Sequence, residues 1–207
     1  MKRVLIAIPS MDIVPTQFCM SLARLNKVGE CILDNIASSL IYDARNKLAM
    51  HAVKAEAEYV MWLDSDMVFN PDIMERLMKD LDEGRDIVSG LYFRRAAPFT
   101  PVAFSKIDCS GETCVHEDYK GSLSGIHEVE GIGFGCVLMK SDVLFESFSK
   151  YGTCFSPINS VGEDLSFCWR ARELGYKIYL DCDVKCGHVG HLVVTEQAYR
   201  SLHGGES

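Results

Sequence analysis

The chain has 207 residues, 48% of them hydrophobic, which is enough for one sizeable core and predicts a single domain over residues 1–207. Its formal charge of −8 argues against a nucleic-acid-binding surface, although a locally basic pocket stays compatible with it. No apolar stretch reaches membrane-spanning length, and nine cysteines, odd in number and without a C-x-x-C pair, predict reduced thiols in a cytoplasmic protein.

From the amino terminus, Val4-Leu5-Ile6-Ala7-Ile8 is an apolar run that Pro9, Ser10 and Asp12 end too soon for a signal peptide, so it predicts a first strand. Helical spacing follows over 15–26, with a stop near Gly29, and a strand over 30–33. Ile41, Ala44, Leu48, Ala52 and Ala55 supply one face of a helix over 40–58. Tyr59-Val60-Met61-Trp62-Leu63 is an unbroken apolar run, as a strand buried on both faces would be, and it ends in Asp64-Ser65-Asp66.

Beyond that turn, Asn70 is the expected N-cap, Pro71 the first helical residue, and Ile73, Leu77 and Leu81 repeat every four residues up to Gly84. Residues 86–93 predict a strand, and 96–101 break regular structure. The polar, aperiodic segment 105–128 predicts a long loop with room for one hairpin. A strand over 129–139 is interrupted by Gly131, Gly133 and Gly135, and 144–151 reads as helix. A second strongly signalled helix covers 163–174, with Leu165, Cys168, Trp169 and Ala171 as its apolar face and Gly175 as its stop, before a strand over 176–180. This alternation predicts an α/β fold: an open, mostly parallel central sheet with helices on both faces and a nucleotide-binding crevice.

Three segments carry chemistry. Asp64 and Asp66 lie two apart, so on an extended backbone they face one side and can meet one ligand; a hard divalent cation takes such oxygens together with substrate phosphate. The plain alternative is an acidic turn that caps the next helix. Glu163-Asp164 open a helix, where complementation of the helix dipole, ~0.3–1 kcal/mol for an exposed carboxylate, is the competing explanation. Gly187-His188-Val189-Gly190-His191 adds two imidazoles past the last strand. Cys182 and Cys186 stand near them, but no second cysteine pair completes a structural zinc site. The glycines around Phe134 either let a sugar or phosphate come close to the backbone or mark a bulged strand. Arg94 and Arg95 offer guanidinium forks to a diphosphate or are solvated surface residues.

In order and spacing, Ile8-Pro9-Ser10, Ala44-Arg45-Asn46, Leu63-Asp64-Ser65-Asp66, Gly131-Ile132-Gly133-Phe134-Gly135, Gly162-Glu163-Asp164 and Gly187-His188 resemble the metal-dependent glycosyltransferases of the GT-A fold. They resemble in particular the large inverting group that includes cellulose and chitin synthases. The resemblance implies an enzyme that moves a sugar from a nucleotide diphosphate sugar to an acceptor hydroxyl by metal-assisted in-line displacement. It implies a donor pocket lined by Pro9, Ser10, Ser65 and Gly133, with Arg45 on the base or ribose-phosphate region and Asp64 touching the ribose and a metal-bound water. Asp66 would be the direct ligand of Mn2+ or Mg2+, with His188 closing the coordination and His191 the competing choice. Asp164 would be the general base and Glu163 would orient the acceptor.

A carboxylate at a helix amino terminus is expected to have a lowered pKa, which weakens it as a base. The rival readings are a nucleotidyltransferase that makes nucleotide sugars, whose glycine-rich phosphate loop is replaced here by Pro9-Ser10-Met11-Asp12, and a non-catalytic sugar-nucleotide-binding domain. The acceptor-side or lid elements are expected in 105–128 and 195–207, from their irregular polar composition.

Overall fold

The computed structural model describes residues 1–159 and 161–190. β1 (Arg3–Ser10) leads through α1 (Thr16–Ala23) to β2 (Glu30–Ala37), and α2 (Ile41–Lys54) leads to β3 (Tyr59–Leu63). After β4 (Met67–Val68) come α3 (Ile73–Asp82), β5 (Ile87–Leu91), β6 (Ala103–Asp108), β7 (Val115–Asp118) and β8 (Ile126–Val129). β9 (Gly131–Ile132), β10 (Cys136–Lys140), α4 (Asp142–Tyr151), α5 (Glu163–Glu173), β11 (Ile178–Lys185) and β12 (Gly187–His188) complete the described chain.

Seven strands form the central sheet in the order β2-β1-β3-β10-β5-β11-β8, with β10 and β8 antiparallel to their neighbours and the rest running one way. Alternate side chains enter two cores. Leu5, Val60 and Trp62 pack with α2, α4 and α5, while Ile6, Met61 and Leu63 pack with α1 and α3. Burial on both faces explains why these strands are apolar at every position instead of alternating. The expected α/β sheet with helices on both faces is therefore present. No helix among the described residues is long and apolar enough to cross a membrane.

The local differences have identifiable causes. β2 runs to Ala37 because it pairs with β1 along its whole length, from Arg3↔Glu30 to Ser10↔Ala37, although Leu33 on this edge strand is exposed. α3 begins at Ile73 with Asp72 as its cap; the Pro71 carbonyl accepts the Asn26 N–H at 2.8 Å, which holds Asn70-Pro71 in a turn outside the helix. The expected long loop contains β6, β7 and β8, and β6 also pairs with β9 to make a small three-stranded sheet. The β6–β7 register sets Asp108 opposite Val115, so the next rung brings Cys109 and Cys114 together as a disulfide. That pair corrects the expectation of uniformly reduced thiols. On α5 the buried residues include Phe167, stacked on Phe155 at 4.7 Å, and Arg170, whose guanidinium donates to the Cys154 carbonyl at 3.0 Å; Trp169 is only partly covered.

On α3, Asp80 is 5% exposed beside Asp181 of β11. Asp181 Oδ1 accepts the N–H groups of Asp183 and Val184 at 2.8 and 3.3 Å, where β11 breaks register on its way to β12. Burial first, and the negative charge of Asp181 second, push the Asp80 carboxyl from 3.8 up to about 6. The native state thus holds this proton more tightly than the unfolded chain. The contribution is complete below the unfolded pKa and is lost as pH rises through about 6, an effect of ~3 kcal/mol. Thermal melts from pH 4 to 7.5 should show wild type losing stability relative to Asp80→Asn across that window. Parallel curves for the two proteins would refute the assignment.

Candidate active site

Arg45 of α2 is the centre of the site. Its side chain is 3% exposed, its Nη2 donates to Asp64 Oδ1 at 2.8 Å, and its Nε donates to Glu163 Oε1 at 3.3 Å. The guanidinium carbon lies 5.3 Å from the Phe134 ring centre, 5.9 Å from Trp62 and 6.0 Å from Phe155. Burial alone would lower the Arg45 pKa, but the charges of Asp64, Glu163 and Asp164 raise it above the ordinary value. Arg45 thus ties the end of β3 to the start of α5. The next residue, Asn46, extends the anchor: its Oδ1 accepts the N–H groups of Cys154 and Phe155 at 3.1 and 2.9 Å.

The Asp64-Ser65-Asp66 segment leaves β3 as a turn, closed by Met67 N–H donating to the Asp64 carbonyl. β4 then pairs with β12, setting His188 opposite Met67, and Val189 N–H donates to the Asp66 carbonyl at 2.8 Å. This small ladder puts the imidazole beside the carboxylate, with His188 Nε2 3.5 Å from Asp66 Oδ2. His188 Nδ1 is 2.9 Å from the Phe93 carbonyl, which can only accept, so Nδ1 carries the proton and Nε2 faces Asp66. The hydrogen bond with Asp66 is the main reason the His188 pKa is raised. For Asp66, burial would raise the pKa, but the hydrogen bond and charge of His188 and the charge of Arg95 outweigh it and lower the value.

These atoms match a divalent cation in kind: one carboxylate oxygen and one imidazole nitrogen whose other nitrogen is fixed by a carbonyl. Among the described residues no group of three His, Cys, Asp or Glu gathers for a metal. Asp66 Oδ2 also accepts from Arg95 Nη1 at 2.9 Å.

A cavity of about 400 Å³ joins these groups, lined by Arg45, Asp64, Asp66, Glu163, Asp164 and His188 with Tyr92, Arg94 and Arg95. Asp164 accepts the adjacent Leu165 N–H at 2.8 Å. Burial first and Glu163 second push its carboxyl up to about 6, against the expectation that the helix terminus would lower it. Glu163, expected to orient the acceptor, is ion-paired with Arg45 and lines the cavity. Arg45, expected at the base or ribose-phosphate, has two of its nitrogens engaged by protein carboxylates.

Tyr92 is the site residue that the sequence reading missed. It is 5% exposed, its hydroxyl accepts the Gly135 N–H at 3.1 Å, and its ring packs edge-on to His188 at 5.5 Å. A Cβ at Gly133 would stand 2.1 Å from that hydroxyl, and one at Gly135 would stand 2.9 Å from the ring. The lack of a Cβ at these glycines makes room for Tyr92. Pro9 and Ser10 lie at the end of β1, outside this cavity. Ser10 is hydrogen-bonded to Asn35 at 2.9 Å and lines a separate cavity of about 460 Å³ with Met11, Phe18, Leu33 and Asn35. Ser65 sits in the turn and does not line the carboxylate cavity. His191 and the expected lid over 195–207 lie outside the described residues.

A model of the family described as glycosyl transferase family 2 matches residues 39–143, a stretch that includes Arg45, Asp64 and Asp66 but ends before Glu163, Asp164 and His188. No curated protein matches the sequence. The solved structure of A197 from STIV superposes with a TM-score of 0.61 at 19% identity, covering 93% of this chain and 97% of that one. GalNAc-T7, solved with UDP, GalNAc and Mn2+, gives 0.62 at 10% identity and covers 92% of this chain; the chain spans 43% of that protein. At these identities the likeness establishes the fold, which is GT-A.

The hub role of Arg45 predicts strong non-additivity. Arg45→Met should cost ~3–5 kcal/mol because it leaves two partly buried carboxylates without a cation. Adding Glu163→Gln should return part of that loss, and a double-mutant cycle by urea denaturation measures it. Additive costs would show that the pair does not hold the site together.

Proposed function

The chain belongs to glycosyl transferase family 2, and from that premise we propose that it transfers a sugar from a nucleotide diphosphate sugar to an acceptor hydroxyl with inversion at the anomeric carbon. One observation carries the reading: three separate segments bring Asp64, Asp66, Glu163, Asp164 and His188 around one cavity. The acceptor oxygen attacks the anomeric carbon, its proton passes to Asp164, and the bond from that carbon to the diphosphate oxygen breaks on the opposite side. One displacement with the base opposite the leaving group gives inversion.

Each residue's part follows from its surroundings. A carboxyl with a pKa of about 6 is ionised near neutral pH yet basic enough to accept a proton, which suits Asp164 as the base. Glu163 and Arg45 fix the start of α5, and so the position of Asp164. The nucleoside end of the donor is assigned to Pro9 and Ser10, one strand over from Asp64, with Asp64 toward the ribose. Asp66 and His188 would hold Mn2+ or Mg2+, and the ion would supply positive charge to the departing diphosphate. A single domain is assigned the whole reaction.

A thermal-shift screen of nucleoside diphosphates and their sugars, with and without Mn2+, identifies the donor, because a ligand that binds the native state raises its melting temperature. With that donor, Asp164→Asn should lower kcat by ~10²- to 10⁴-fold and keep the nucleotide-induced shift. Wild-type kcat/KM should rise with pH and level off above about 6, as the base ionises. Asp66→Ala should lose both the Mn2+-dependent shift and turnover. Transfer by Asp164→Asn at the wild-type rate would remove the base from the mechanism.

A further inference from the structure

Arg95 is built differently from the other two arginines of the cavity. Arg45 is buried and held by two carboxylates, and Arg94 is held by Asp118 at 3.0 Å with its guanidinium 5.7 Å from the Phe104 ring centre. Arg95 has a side chain that is 51% exposed and a single ion-pair partner among the described residues, Asp66. It follows a pinned rung: Phe93 bridges to Pro101, and Arg94 N–H donates to the Thr100 carbonyl at 2.9 Å. Its backbone position is thereby set, while its guanidinium reaches over the cavity into solvent.

The oxygen that Arg95 occupies is Asp66 Oδ2, the same one that faces His188 Nε2. A cation placed between Asp66 and His188 would compete with the guanidinium for that oxygen, and two positive groups this close repel. Arg95 also lines a second cavity of about 400 Å³ beyond His188, with Phe93, Phe99 and Gly190, so it borders open space on two sides. An ion pair this exposed is weak and readily exchanged. A guanidinium fork released from a carboxylate finds an equivalent partner in a phosphate oxygen.

We propose that Arg95 exchanges partners during donor binding: it neutralises Asp66 in the empty site and moves to a diphosphate oxygen when a divalent cation takes the carboxylate. Arg95 is then a binding residue for the leaving group and a brake on cation binding without donor. The inference rests on the assignment of Asp66 and His188 to the cation.

The test measures Mn2+ affinity by the loss of the free-ion electron paramagnetic resonance signal, in wild type, Arg95→Ala and Arg95→Lys, first with Mn2+ alone and then with UDP or GDP. Arg95→Ala should bind Mn2+ alone about two- to five-fold more tightly, as expected for removing a competitor held by a weak ion pair. It should bind the diphosphate in the presence of Mn2+ at least ~10-fold more weakly, as expected for losing a charge-assisted pair. Arg95→Lys should lie between on both measures. Unchanged or weakened binding of Mn2+ alone in Arg95→Ala, or unchanged diphosphate affinity, overturns the exchange. Mn2+ binding that survives both Asp66→Asn and His188→Ala places the ion elsewhere, and overturns the underlying assignment along with the exchange.

Discussion

The site depends on one buried cation. A guanidinium that is 3% exposed has lost most of its hydration, and such burial is tolerated only when carboxylates and hydrogen bonds replace the water. Here Asp64 and Glu163 take Nη2 and Nε and the faces of Trp62, Phe134 and Phe155 surround the group, while the buried Nη1 has no hydrogen-bond partner among the described residues. The dependence is mutual. Asp64, Glu163 and Asp164 line one cavity and would repel without a positive charge among them. The interaction also divides labour on α5: Glu163 is taken by Arg45, and Asp164, which accepts its neighbour's backbone N–H, lines the cavity.

The glycines between β9 and β10 illustrate how packing can be a cause of a motif that also suggests substrate contact. Gly133 and Gly135 look like places where substrate approaches backbone, and the space a Cβ would take is filled by the Tyr92 ring and hydroxyl. Tyr92 in turn packs against His188, whose other constraint, the Phe93 carbonyl, comes from the adjoining residue. The glycines thus act on the imidazole at second hand. They admit a bulky aromatic residue that, with a carbonyl from the same segment, fixes the ring whose Nε2 faces Asp66.

Much of this architecture was readable in the chain because the relevant forces are local or periodic. The apolar run at 59–63 became β3 with the same boundaries, since a strand buried on both faces needs an apolar residue at every position. The start of α5 at Glu163 followed from Gly162 and two acidic residues at a helix origin. What stayed hidden arises from long-range contacts. Arg45 gave no sign of burial, because its partners lie 19 and 118 residues away. β4 and β12 are two residues each, too short for any period, and their pairing brings His188 to Asp66. The pKa of Asp164 went the other way because the helix-terminus argument assumes exposure, whereas burial and Glu163 act in the opposite direction here. α3 began late for a similar reason, since a contact from Asn26 held Pro71 out of the helix.

The cavity's polarity bears on the direction of the reaction. Arg94, Arg95 and His188, from the segment after β5 and from β12, supply basic groups, the last two beside Asp66, and Asp64, Glu163 and Asp164 supply acidic ones around Arg45. A net charge of −8 on the whole chain makes this local cluster of basic groups more consequential, since a diphosphate would otherwise be repelled. A departing diphosphate gains charge as its bond to the sugar breaks and is stabilised beside the basic groups; an acceptor hydroxyl must lose a proton and is served by the acidic ones. Exchanging the two would set the growing negative charge against Asp164 and leave the hydroxyl facing cations that cannot take its proton. For the proposed transfer, electrostatics therefore favours a donor with its diphosphate toward Arg95 and its anomeric carbon toward Asp164.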